Sequence, residues 1–126
     1  VVIVEAALGA EDGLTQISLA ADGSSAWVDG NETLEVARLD VDQMLGDQEV
    51  QLIKINAEGA EFDILERLVQ ADRMEQVGVV LVQFHRFAPD AVMRRKRLRK
   101  ALKRTHSCQV NVPWVWEKWT LRRRVT

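Results

Sequence analysis

The ten residues Leu52-Ile53-Lys54-Ile55-Asn56-Ala57-Glu58-Gly59-Ala60-Glu61 constrain this chain more than any other stretch. They read as a strand that stops at a polar residue, then two carboxylates around a glycine, then the opening of an amphipathic helix. Ile64, Leu65, Leu68 and Ala71 follow at the spacing of a core-facing stripe. An open α/β sheet presents its chemistry in this way, because ligands sit beyond the carboxyl ends of the strands, at the turns into the next helices. Glycine at such a turn accepts backbone angles that other residues resist and lets a ligand approach the main chain. Glu58 and Glu61 each have a plain reading as helix-start devices, since a carboxylate in a first helical turn gains ~0.3–1 kcal/mol from the macrodipole. Glu58, before the glycine and at the strand's carboxyl edge, has an equal claim to a functional role. Lys54 and Asn56 share one face of the strand and Ile55 takes the other. A lysine there needs a partner, Glu58 or a carboxylate on a neighbouring element, or an escape to solvent.

From that run onward, strand and helix alternate, which predicts a largely parallel sheet with crossover helices. Residues 50–56 read as a strand and 60–71 as a helix. Residues 77–84 are nearly all apolar, as a strand covered on both faces must be. A helix starts at Pro89 or Asp90 and runs to about Arg104, with Ala91, Leu98, Ala101 and Leu102 as its apolar stripe. Residues 109–112 and 115–121 read as closing strands. Ahead of the run, residues 1–8 read as a buried strand, 9–13 as a turn and 14–19 as a second strand. Residues 22–25 form a turn cluster, 26–28 a short strand and 29–31 another turn, and 34–39 alternate as a half-exposed strand should. Asp40 looks like the N-cap of a short helix ending at Gly46. The first region reads as a β-meander on one flank of the sheet. The fold class is α/β, with mixed strands and crossover helices, and residues 1–126 read as one domain without linker or repeat.

Charge and composition exclude several classes. The 126 residues are 47% hydrophobic, ordinary for a globular core, and carry a net charge of -2. That balance is polarised: residues 1–63 hold 14 acidic and 2 basic side chains, and residues 64–126 hold 5 acidic and 15 basic. Eight of the eleven residues from Arg94 to Arg104 are basic. Such a run attracts phosphate at low salt. Yet it has no interleaved aromatic platform and no nucleic-acid motif, so a helix face that neutralises the acidic half is the expectation and nucleic acid is not an expected partner. Cys108 is the lone cysteine, which removes any intramolecular disulfide and any argument for secretion. No apolar stretch approaches the roughly 20 residues that span a bilayer. A cytoplasmic protein with no membrane partner is expected, and no metal-ligand motif is visible.

Two further motifs stand out. Val82-Gln83-Phe84-His85 ends the strand after the Asn56 strand, so its carboxyl end should lie beside Asn56. His85 can move a proton near neutral pH, or it can be a satisfied histidine that fixes the loop. Near the end, Thr105-His106 precedes Trp114-Val115-Trp116-Glu117-Lys118-Trp119. On a strand Trp114 and Trp116 would point the same way, closing an edge of the core or stacking on a sugar.

Together these motifs resemble one family. Lys-Ile-Asn-Ala-Glu-Gly-Ala-Glu is similar to the Lys-Ile-Asp-x-Glu-Gly-Ala-Glu signature of FkbM-type methyltransferases, and Gln-Phe-His and Val-Trp-Glu-x-Trp resemble strand-end and tail motifs of one branch. The resemblance runs from about Val1 to Leu121. It implies a class I, Rossmann-like sheet with mixed final strands, and S-adenosylmethionine as cofactor. The acceptor it implies is a small-molecule or glycan hydroxyl. By that analogy Glu58 and His85 are catalytic, Asn56 and Gly59 bind cofactor, and Glu61 and Gln83 bind substrate. Asn56 stands where the family more often has aspartate; asparagine keeps hydrogen bonding but cannot be a base. No Gly-x-Gly follows a strand, and the chain opens inside an apolar run, so it reads as the C-terminal part of a larger catalytic domain lacking the cofactor-loop unit. Such a piece is expected to bind the cofactor weakly, to be inactive alone and to self-associate through exposed edges. A non-catalytic binding or assembly module derived from the same fold is the alternative.

Overall fold

The computed structural model describes residues 1–20, 23–25 and 32–123. The elements are β1 (Ala7–Gly9), β2 (Gly13–Ala20), β3 (Gly23–Ser25), β4 (Thr33–Asp40), α1 (Val41–Leu45), β5 (Val50–Ile55), α2 (Glu61–Gln70), β6 (Val77–Val82), α3 (Ala91–Leu102), β7 (His106–Val112) and β8 (Trp116–Leu121). The strands form two four-stranded mixed sheets. The first has order β1-β4-β2-β3, with β1 parallel to β4 and the other pairs antiparallel. The second has order β5-β6-β8-β7, with β5 parallel to β6, and β8 antiparallel to both β6 and β7.

The helices start and stop where local chemistry directs. Asp40 caps α1 by accepting the Asp42 N–H, and Gly46 ends it at φ 55°, donating its own N–H to the Asp42 carbonyl. Along α2, Phe62, Ile64, Leu65 and Leu68 form the buried stripe; along α3 it is Ala91, Leu98 and Leu102. Both stripes join one core with Ile55, Val80, Val82 and Trp119, which the strand register places on a single face of the second sheet. Phe62 and Phe84 meet at 5.1 Å within it.

The opposite face of that sheet is open. Leu52, Val110 and Val112 are 53%, 42% and 49% exposed, Lys54 and Lys118 are exposed, and Val79, Leu81 and Trp116 are only partly buried. The apolar run of β6 is therefore covered on one face by the described residues, where its composition predicts two.

Ion pairs offset part of the polarised charge, some across the two halves of the chain and some within the second. Arg67 binds Asp40 and Asp42, Arg73 binds Asp42 and Asp47, and Arg94 binds Asp63 and Glu66. Arg95 and Arg99 clasp Glu117, which is 1% exposed and also accepts the Trp119 indole N–H at 2.9 Å. The inward arginines of the basic run are thus used up inside the fold, while Lys96, Arg97, Lys100, Lys103 and Arg104 face solvent.

Several expectations are corrected. Residues 1–5 form no strand, and Val1, Val2 and Ile3 are 82% exposed or more; only residues 7–9 pair. Gly23–Ser25, expected as part of a turn, is a short strand on β2. β7 begins at His106, three residues before its expected start. Trp114 lies in the β7–β8 turn at φ 62° and so does not share a strand face with Trp116. The expected strand at 26–28 and the turn at 29–31 lie outside the described residues, as does Asp22. Among the described residues no helix is long and apolar enough to cross a membrane.

Candidate active site

β5 and β6 run parallel, so their carboxyl ends reach the same edge of the sheet. The Gln83 N–H donates to the Ile55 carbonyl at 3.0 Å, extending the ladder past both strands and setting the Asn56–Ala60 loop beside Gln83-Phe84-His85. The loop turns sharply. Glu58 and Gly59 are successive residues at positive φ, 47° and 106°. Glycine takes such angles freely, whereas for glutamate the left-handed region is sparsely populated, a conformation that often marks functional sites. The turn sends the chain into α2 with the Glu61 carboxylate folded back beneath the loop.

Glu61 is fully buried, and its two oxygens accept two backbone N–H groups and meet one ring nitrogen. Oε2 accepts the Gly59 N–H at 2.8 Å; Oε1 accepts the His85 backbone N–H at 2.6 Å and meets His85 Nδ1 at 3.0 Å. The helix-start carboxylate is thus also the tie between the two strand-end loops. On the far side of the imidazole, Nε2 lies 3.5 Å from Oε2 of Glu58, whose side chain is 36% exposed against 12% for His85. The Phe87 ring is tilted against the imidazole, with 5.3 Å between the ring centroids.

Glu58 and Asn56 open onto a cleft of about 410 Å³ between this loop and the first sheet. Leu8, Ile17 and Ile64 supply apolar wall, and Asp63 and Arg38 supply charge, with Arg38 tethered to Glu11 at 2.9 Å. Of the residues singled out from sequence, the structure brings Asn56, Glu58, Gly59, Glu61 and His85 into one cluster, with Gln83 on the adjoining rung. Gly59 is buried with its N–H taken, so it contributes backbone shape here. Glu61 has no exposed surface to offer an acceptor. Lys54 takes the solvent escape: it is exposed, with Nζ 5.5 Å from the Trp116 ring. The Trp114 ring receives the guanidinium groups of Arg86 and Arg95, at 5.8 and 5.1 Å from its centroid. Sequence reasoning missed Leu8, Ile17 and Arg38 as cleft residues, because a β-meander carries no signal of what its face will meet. Among the described residues no group of three or more His, Cys, Asp or Glu side chains could hold a metal ion.

No match to the chain was found among the curated proteins or the solved structures. The sequence model of the Methyltransferase FkbM domain, however, matches residues 2–108. That span takes in the whole Glu58–Glu61–His85 cluster and the cleft beside it, and with most of its length matched the chain belongs to the FkbM methyltransferase domain family.

Proposed function

We propose that this protein transfers a methyl group from S-adenosylmethionine to a hydroxyl of a glycan or small-molecule acceptor, at the edge where Glu58 faces His85. The observation that carries the reading is the 3.5 Å approach of Glu58 Oε2 to His85 Nε2, beside a cleft at the carboxyl ends of parallel strands. The β5-β6-β8-β7 order, parallel first and antiparallel last, supports a class I, Rossmann-like sheet with mixed final strands. The residues present suit one side of the cofactor. Asn56 offers an amide and Glu58 a carboxylate to hydroxyl and ammonium donors, and Leu8, Ala57 and Ile17 offer apolar surface. Asn56 and the Glu58–Gly59 turn would hold it. When bound, S-adenosylmethionine supplies a methyl group on a positively charged sulfur.

The chain's own part is to bring the hydroxyl into line and receive its proton. A hydroxyl is a poor nucleophile until a base takes that proton, and alignment lowers the barrier further. Glu58 is the leading base, being the more exposed of the facing pair, and His85 stands behind it. In the protein carrying this sequence, Glu58→Gln keeps size and removes basicity. Turnover of labelled methyl onto a hydroxyl acceptor should fall by ~10²–10⁴-fold with little change in cofactor affinity. His85→Asn should be the milder change. Unchanged turnover in folded Glu58→Gln would remove it as the base.

A second reading, a binding or assembly module without turnover, is favoured by Asn56 standing where a carboxylate is usual in the family signature. Wild-type protein that is folded, yet transfers no methyl across a broad acceptor panel, would establish it over the first.

A further inference from the structure

We infer that Glu61 is a positioning residue that fixes the tautomer of His85, so that His85 Nε2 and Glu58 accept the acceptor's proton as a pair. The inference deepens the proposed methyl transfer and rests on it for the chemical consequence; the tautomer stands on geometry alone. A carboxylate that only favoured the helix dipole would sit in solvent at the first turn. Glu61 is instead fully buried, a costly place for a charge unless hydrogen bonds replace its lost water. They do, and two of the three come from His85, through its main-chain N–H and its ring.

A carboxylate has only acceptors to offer, so the Nδ1 contact at 3.0 Å requires the proton to be on Nδ1. In the neutral ring the lone pair is then on Nε2, the nitrogen that faces Glu58. Two acceptors confronting each other at 3.5 Å leave room for one proton between them. As the acceptor oxygen forms its bond to the methyl carbon, the carbon–sulfur bond breaks with its electron pair left on sulfur. The hydroxyl proton passes to the Glu58–Nε2 pair and leaves from there to water. Charge balances: the sulfonium's positive charge reappears as the released proton. Glu61 touches none of the reacting atoms. It acts through His85, much as a buried carboxylate orients an imidazole in hydrolytic triads.

Two measurements test this on the protein carrying the sequence. Nitrogen NMR of histidine-labelled protein, above the pH of imidazole titration, should show His85 protonated at Nδ1, and Glu61→Gln should shift it toward protonation at Nε2. Glutamine cannot serve all three donors, because its amide NH₂ would confront one of them. In methyl transfer, Glu61→Gln should cost no more than His85→Asn does in the wild-type background and add little in a His85→Asn background, the non-additivity of residues that act as a unit. A merely structural glutamate would give additive losses. Wild-type His85 protonated at Nε2 would overturn the inference, whether or not Glu61→Gln folds. Additive losses in folded variants would overturn it too. Absence of methyl transfer in the wild type, with His85 protonated at Nδ1, would instead overturn the proposed function and support the positioning geometry.

Discussion

Asp40 serves two elements with one carboxylate. Oδ1 caps α1 through the Asp42 N–H, and both oxygens receive the Arg67 guanidinium of α2, at 2.9 to 3.3 Å. Planar guanidinium and carboxylate match in this two-pronged way, which is why an arginine serves there. The Arg67 hydrogen bonds, more than any other influence, hold Asp40 below the ordinary carboxylate value of 3.8; burial opposes them and the Asp42 N–H adds to them. A depressed folded-state pKa means stability that is fully present above the unfolded value and lost as pH falls through the folded one. Urea midpoints should therefore hold down to about pH 4 and then drop. Asp40→Asn, which keeps a capping oxygen but not the charge, should lower stability at pH 7 and flatten that acid limb. An unchanged limb in the variant would assign it to other carboxylates.

Between elements, His106 makes a bond that strand pairing alone does not. It opens β7, is fully buried, and its Nε2–H donates at 2.8 Å to the Val77 carbonyl at the start of β6, while Nδ1 accepts the Thr105 hydroxyl at 2.7 Å. Burial pushes the imidazole below its usual 6.5, with the Val77 carbonyl opposing more weakly. Here the unfolded chain takes up the proton first, so stability is complete above about pH 6.5 and erodes as pH falls through that value. His106→Phe should leave the buried Val77 carbonyl unpaired, at a cost of about 1–3 kcal/mol, and should remove the slope between pH 7.5 and 5.5. Calorimetry across that range checks both. Sequence foretold much at this scale and missed the rest for definable reasons. α1, α2 and α3 were legible because caps and a 3.6-residue stripe are written locally in Asp40, Gly46, Leu65 and Leu68. β4 and β5 were legible from alternation and from the polar stop at Asn56. Val1–Val4 misled, because β propensity counts only where a partner strand exists. The early start of β7 and the buried side of Glu61 were not legible, since each depends on an atom far along the chain: the Val77 carbonyl and the His85 ring.

For the whole molecule, the open face of the second sheet is the feature with the widest reach. The nearly all-apolar β6 has the composition of a strand buried on both faces, and exposed apolar surface invites contact. Concentration-dependent association is the expected outcome in light scattering of the 126-residue chain. The paired substitutions Leu52→Glu and Val112→Glu should shift it toward monomer without loss of helix signal; association unchanged by them would place the contact elsewhere, on the exposed residues 1–4 in particular. The solvent-facing cations along α3 should keep such assemblies sensitive to salt. At the active edge, Glu61 brings a different economy to the molecule. By joining Gly59 to His85 it makes the two strand-end loops a single ordered body before anything binds. The entropy of arranging that surface is spent in folding, so a ligand meeting Glu58 and Nε2 does not bear it a second time.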